Sequence, residues 1–110
     1  MSQLEARNRE PAPVFAALGS TTRLELLARL CDGKDHSITE LTDGLDLTRQ
    51  AVTKHLRVLQ QAGIIDRQRI GRESRFAIQP ERVTEAKKYL DQISDQWNQS
   101  IARLREAVES

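Results

Sequence analysis

Apolar and polar positions alternate along this chain with two periods, one helical and one of strands. The clearest helical stretch is TRQAVTKHLRVLQQAG, residues 48–63. With each residue turned ~100° from the last, Val52, Leu56 and Leu59 share one side, beside Ala51, Val58 and Ala62. Arg49, Gln50, Thr53, Lys54, Arg57, Gln60 and Gln61 fill the opposite arc. Thr48 is placed to cap the start, and Gly63 to end the helix in a left-handed conformation. The outer face carries cations and neutral hydrogen-bonding side chains but no acid.

Three shorter helices are predicted upstream. Pro13 suits the first turn of VFAALG, ended by Gly19, with Val14, Phe15 and Leu18 as its buried contacts. Ser20 caps TTRLELLARLCD, closed by Gly33. Leu24, Leu27, Ala28 and Cys31 follow the i, i+3, i+4, i+7 rule there, and Leu26 and Leu30 widen the stripe. Cys31 reads as a buried small hydrophobe, and Arg23, at the stripe's margin, as a partner in a structural ion pair. Lys34, Asp35 and His36 form a polar loop. Ser37-Ile38-Thr39-Glu40 is a capping box opening the helix ITELTDGL, which buries Ile38, Leu41 and Leu45. Asp46-Leu47-Thr48 connects it tightly to the helix of residues 48–63. A short helix, a brief turn and a second helix with a polar outer face make a helix-turn-helix.

After Gly63 the period changes. Residues 64–70, IIDRQRI, and 74–79, SRFAIQ, are short, β-prone and partly alternating. Gly71-Arg72 between them favours a two-residue type II′ turn. Arg67, Arg69, Arg72 and Arg75 all belong to this hairpin, with Arg72 at its tip. From Pro80 a last helix runs nearly to the end. Val83, Ala86, Leu90, Ile93, Trp97, Ile101, Leu104 and Val108 are spaced close to a heptad seam along it. Such a helix is ~40 Å long, more than a body of this size covers. Its stripe therefore calls for a second subunit, met by Leu90, Ile93, Trp97, Ile101 and Leu104, with Val14 of the first helix beside them.

Composition narrows the class. The chain has 110 residues, 38% hydrophobic and 30% charged, with one cysteine. One modest domain without an intrachain disulfide fits a cytoplasmic protein. No apolar run approaches the ~20 residues that span a membrane, so no membrane partner is expected. The net charge of +1 is uninformative until it is mapped. Residues 1–46 carry net −3 and 81–110 net −1, whereas 47–80 carry +5. That confined basic segment is the footprint of a site on a polyanion. Arg49, Gln50 and Thr53 are placed to read base edges. Thr48, Lys54 and Arg57 suit phosphates, and the hairpin arginines suit a wing reaching a neighbouring groove or backbone. His55 falls on the inner side of its helix and reads as a packed, hydrogen-bonded residue.

With these pieces in order, the chain resembles the ArsR-type winged-helix transcriptional repressors. The resemblance is carried by VFAALGSTTRLELLARL, ITELTDGLDLTRQAVTKHLRVLQQAGII and RIGRESRFAI. It implies a mainly α winged helix-turn-helix with a small β-hairpin wing, a homodimer through terminal helices. It also implies binding to a partly palindromic operator on double-stranded DNA and repression of the protein's own operon. The expected layout is an N-terminal arm at 1–12, a DNA-binding domain at 13–80 and a dimerisation helix at 81–110.

The chain departs from metal-sensing members of that family, which place cysteine pairs near the recognition helix or His and acidic ligands along the terminal helix. Residues 38–47 and 81–110 contain neither Cys nor His. No metal and no cofactor are expected, and nothing in the sequence names an effector. A metal- or redox-responsive repressor of the same family is one alternative. Another is a winged-helix interaction module whose basic face meets an acidic protein. An enzyme is disfavoured: there is no Gly-rich phosphate loop, no nucleophile elbow and no His or Cys beside a base.

Overall fold

Proline opens the first helix. The structure, a computed structural model, describes residues 10–109. The arm expected at 1–12 lies outside them up to residue 9. Pro11 and Pro13 begin α1 (Ala12–Leu18), where a missing N–H is harmless. The Gly19 N–H closes it on the Ala16 carbonyl at 3.2 Å. Ser20 Oγ then accepts from the Arg23 N–H at 3.3 Å and starts α2 (Thr21–Leu30).

The inward face of α2 is not the one its spacing favoured. Leu26 and Leu30 are fully buried, whereas Leu24 is 51% exposed and Ala28 and Cys31 are exposed too. Apolar residues stand nearly all round this helix, so periodicity leaves the face open. Arg23 decides it. Its guanidinium donates to the Ala17 carbonyl at 2.5 Å, the Ala16 carbonyl at 3.4 Å and His55 Nδ1 at 3.2 Å. These bonds satisfy the Ala17 carbonyl, left orphaned at the end of α1, and add a second donor at Ala16. They also turn inward the residues stacked on Arg23, which are Leu26, Leu27 and Leu30. Arg23 is thus a helix cap rather than an ion-pair partner, and Cys31 rotates out of the core.

The polar loop expected at 34–36 gives way to a strand. β1 (His36–Ser37) pairs antiparallel with the last strand, β3 (Glu73–Ile78), His36 opposite Phe76 and Ser37 opposite Arg75. Buried Ser37 caps α3 (Ile38–Thr42) by accepting from the Glu40 N–H at 3.1 Å. The return half of the capping box is diverted, because the Glu40 carboxylate takes His36 and Arg75 instead. α3 stops at Thr42 rather than Leu45: Gly44 turns left-handed at φ 78°, and Arg29 draws the Leu41 and Asp43 carbonyls to itself.

α4 (Arg49–Gln61) forms as its pattern predicts. Val52, Leu56 and Leu59 are fully buried, and Gly63 ends the helix at φ 79°. β2 (Ile65–Ile70) and β3 (Glu73–Ile78) pair antiparallel, and the sheet order is β1-β3-β2. Ile70 stands opposite Glu73, leaving Gly71-Arg72 as the turn. Gly71 has φ 65° and Arg72 has no positive φ, the type II′ pattern. Ile64, Ile65 and Phe76 join Leu26, Leu30, Leu41 and the α4 leucines in one core.

Helix α5 (Pro80–Glu109) has 30 residues and one buried side chain, Ala86. Its base is tied down by Arg82, which donates to the Ala62 carbonyl at 3.2 Å and pairs with Glu85 at 3.0 Å. Tyr89 meets Phe15, ring centres 6.1 Å apart. Beyond that point the helix leaves the body. The radius of gyration is 18.3 Å, against about 13 Å for a compact chain of this length. Leu90, Ile93, Trp97 and Leu104 are exposed on the projecting part, Trp97 at 66%, and Ile101 is half-buried. Val14 does not belong with them. It is 1% exposed in the single chain, so its surface already serves this protomer's core.

Candidate nucleic-acid interface

The packing of α4 fixes what its other face can offer. With Val52, Leu56 and Leu59 turned in, Arg49, Gln50, Lys54 and Arg57 stand exposed along the outer side. Thr48 Oγ1 accepts from the Ala51 N–H at 3.0 Å, so its hydroxyl proton is still available to a phosphate. Thr53 differs. Its hydroxyl donates to the Arg49 carbonyl at 2.7 Å, which leaves its methyl group and a lone pair facing out. Arg49, Gln50, Thr53, Lys54 and Arg57 line a shallow depression of about 430 Å³, closed on one side by Ile38 of α3. A second depression, of about 220 Å³, runs from Arg49 past Thr39 to Arg72 and Ser74. The start of α4 and the tip of the hairpin therefore border one concave surface.

The hairpin arginines divide into two groups. Arg67 and Arg69 stand opposite Phe76 and Ser74 and share their face of the sheet. Both are exposed, as is Arg72 in the turn. No ion-pair partner is bound to any of them among the described residues. Arg75, expected among the DNA contacts, is held elsewhere. Its guanidinium meets Asp35 at 2.7 Å, Glu40 at 3.2 Å and Glu73 at 3.2 Å, and also donates to the Asp35 carbonyl. Arg75 clamps β3 to β1 and α3. The hydrogen bond it donates to Asp35, with the charges of Glu40 and Asp35, holds its guanidinium even more firmly protonated than usual.

Sequence reasoning missed the cluster built round that clamp. His36 Nδ1 lies 2.9 Å from Glu40, and Nε2 lies 2.8 Å from Asp32. Burial of the ring opposes its protonation, but the bonds to Asp32 and Glu40 outweigh it and raise its pKa above the ordinary histidine value. The bond from His36, then Arg75, lowers the Glu40 carboxyl. The backbone N–H of Lys34, then His36, lowers Asp32. The acids near the hairpin are thereby engaged: Glu73 by Arg75, and Asp66 by the Gln79 amide. Among the described residues the cations of the α4 face and the hairpin tip have no such partners.

His55 lies on the inner side of α4, half-buried, its Nδ1 accepting from Arg23 at 3.2 Å. Among the described residues no group of three or more His, Cys, Asp or Glu side chains is placed to hold a metal ion. No helix among them is long and apolar enough to cross a membrane.

A helix-turn-helix domain family matches residues 18–68, from the end of α1 into β2. The HTH-type transcriptional regulator YuzN of Bacillus subtilis is 38% identical over 65 residues, 54% of this chain and 71% of that protein. An HTH-type transcriptional regulator of Methanocaldococcus jannaschii is 29% identical over 82 residues, 74% of this chain and 92% of its own length. An ArsR-like transcriptional regulator from Rhodococcus sp. RHA1 superposes with a TM-score of 0.76 at 34% identity, covering 87% of this chain and 90% of that one. These relatives are regulators rather than enzymes. The fold agrees with that structure over most of both chains, and this chain belongs to the ArsR-type winged helix-turn-helix, DNA-binding transcriptional regulators.

Proposed function

We propose that the protein acts in the cytoplasm as a homodimer on a partly palindromic duplex operator, repressing transcription of its own operon. The observation that carries this reading is the sorting of charge. Among the described residues Arg49, Lys54, Arg57, Arg67, Arg69 and Arg72 have no acid bound to them, while the acids around the hairpin are engaged. A surface left cationic after every local pairing is what a phosphate backbone requires. In this reading Arg49 and Gln50 meet base edges, and the Thr53 methyl group packs on a thymine. Thr48, Lys54 and Arg57 hold phosphates, and Arg67, Arg69 and Arg72 reach the flanking minor groove or backbone.

The dimer rests on α5. A second copy would cover Leu90, Ile93, Trp97, Ile101 and Leu104 and set the two α4 helices one duplex turn apart, ~34 Å, or a multiple of it. The test is a selection of bound duplexes from a random pool, followed by Gln50→Ala on the selected site. We expect a two-fold sequence, a loss of ~1–3 kcal/mol on it and a relaxed preference at one position in each half-site. Equal losses on selected and scrambled duplexes would remove Gln50 from the reading surface. Binding with no sequence preference would point instead to a partner recognised by charge alone.

A further inference from the structure

Where α5 joins the body, the walls form an apolar cavity of about 160 Å³ that opens to the surface. Leu18 of α1, Leu27 of α2, Ile64 after α4, Ile78 of β3 and Val83 of α5 line it. Its whole lining is hydrocarbon apart from Cys31, which is exposed at the edge. The cavity opens outward there and at Val83, which is 45% exposed. An apolar chamber of about 150 Å³ inside a protein stays dry and takes up benzene. This one has that size and an apolar lining, with a mouth open at Cys31 and Val83. A charged or strongly hydrogen-bonding molecule would lose its water here and find no partner in return.

We propose that this cavity binds a small, uncharged, apolar molecule of about one aromatic ring, and that binding weakens the grip on DNA. The second half rests on the operator-binding reading above; the first does not. The coupling follows from the walls. Ile78 ends the wing strand, Ile64 follows α4, and Ala86 is both a cavity wall and the one buried residue of α5. A molecule wedged there presses on the place where α5 is seated. If α5 pairs the two subunits, its angle sets the separation of the two α4 helices, which the duplex repeat holds to a narrow value. Ligand and operator then favour different settings of α5, and each weakens binding of the other by the same factor.

The probe is toluene, with benzoate as the charged control, on the full-length protein. Methyl NMR signals of Leu18, Leu27, Ile64, Ile78 and Val83 should shift and saturate at toluene concentrations on the order of millimolar or below, and benzoate should leave them in place. Ala86→Leu fills the cavity from within. Val83→Phe, at an exposed position, closes its mouth with less risk to folding. Both variants, confirmed folded by circular dichroism, should lose the toluene shifts. Saturating toluene should weaken binding to the selected duplex about tenfold. Absence of shifts in those methyls, equal shifts with benzoate, or undiminished toluene binding by both variants would overturn the site. Binding to a monomeric Trp97→Glu variant but not to the wild-type dimer would overturn it too, by showing that the second copy fills the cavity. Toluene binding with unchanged duplex affinity would overturn the coupling. A protein that binds no duplex with or without toluene would refute the operator reading while the NMR result on the site stood.

Discussion

Arg72→Ala and Arg75→Gln remove the same charge from the same hairpin, yet they should change DNA binding in different ways. Arg72 sits exposed in the turn with no carboxylate bound, whereas Arg75 is held by Asp35, Glu40 and Glu73 at 2.7, 3.2 and 3.2 Å. Only a cation that is free before binding releases counterions from the duplex when it docks. Arg49, Lys54, Arg57, Arg67, Arg69 and Arg72 are free in this sense among the described residues. Two copies would bring twelve such groups, which caps the slope of log affinity against log salt at about −11. Removing Arg72 from both copies deletes up to two contacts and should make the slope shallower by about 1.8. From about 50 to 200 mM salt, the variant's deficit in affinity should then shrink about tenfold. Arg75→Gln should leave the slope as it is. Its effect should be a lower melting temperature and a loss of affinity that is similar at every salt concentration, as β3 loosens from β1 and α3. Fluorescence anisotropy with a labelled cognate duplex across that range measures both slopes. If Arg75→Gln flattens the slope as much as Arg72→Ala does, the clamp opens on binding and the division drawn here is wrong. If Arg72→Ala leaves the slope unchanged, the turn does not touch DNA.

Trp97→Glu places a charge in the exposed stripe of α5 and should convert a dimer to monomer or aggregate in sedimentation at micromolar concentration; a wild-type monomer under those conditions would refute the seam. Gly63→Ala should destabilise by about 1–2 kcal/mol, from its left-handed backbone and from a Cβ that would sit 3.1 Å from Arg82 Cγ. Urea unfolding should show a smaller loss in an Arg82→Ala background, and equal losses would mean that Arg82 yields freely. Because its folded pKa is raised, His36 should add stability that is complete below the ordinary histidine value of about 6.5 and lost as pH climbs through the raised one. Unfolding titrations from mildly acid to mildly alkaline pH should show this decline, and a His36→Gln variant that keeps it would assign it to another group.

What the sequence made legible follows from which contacts are local. The α4 pattern was readable because its buried stripe, its Thr48 cap and its Gly63 stop all lie within one stretch of chain. The hairpin turn was readable because a two-residue loop with Gly first allows few geometries. α2 was misread because Leu24, Leu26, Leu27, Ala28, Leu30 and Cys31 offer apolar groups over most of its circumference. The face was chosen by Arg23 bonding to α1 and to His55, and the latter bond spans 32 positions. β1 was invisible for a related reason: two residues show no alternation, and their pairing partner lies 40 positions away in β3. The cluster at His36 did leave a trace, with acids four residues to either side. No helix runs through residues 32–40, however, so the helical spacing rule gave no reason to join them.

The same distinction separates the arginines of the hairpin. Summing charge over residues 47–80 counts Arg75 with the others, because two of its three acidic partners, Asp35 and Glu40, lie outside that span. In the fold those acids meet Arg75, which shares its face of the sheet with Glu73 beside the turn and Asp66 near the body. Arg67 and Arg69 lie on the opposite face, with Phe76 and Ser74, and Arg72 lies in the turn. The wing is therefore sorted by face, with Asp66, Glu73 and the Arg75 clamp on one side and Arg67 and Arg69 on the other. A polyanion approaching it is attracted most on the Arg67–Arg69 face and by Arg72 in the turn. That turn shares a concave surface with Arg49 at the start of α4. Charge placed in this way directs the duplex to the α4 face and the hairpin tip together, and away from the strand that Arg75 holds in place.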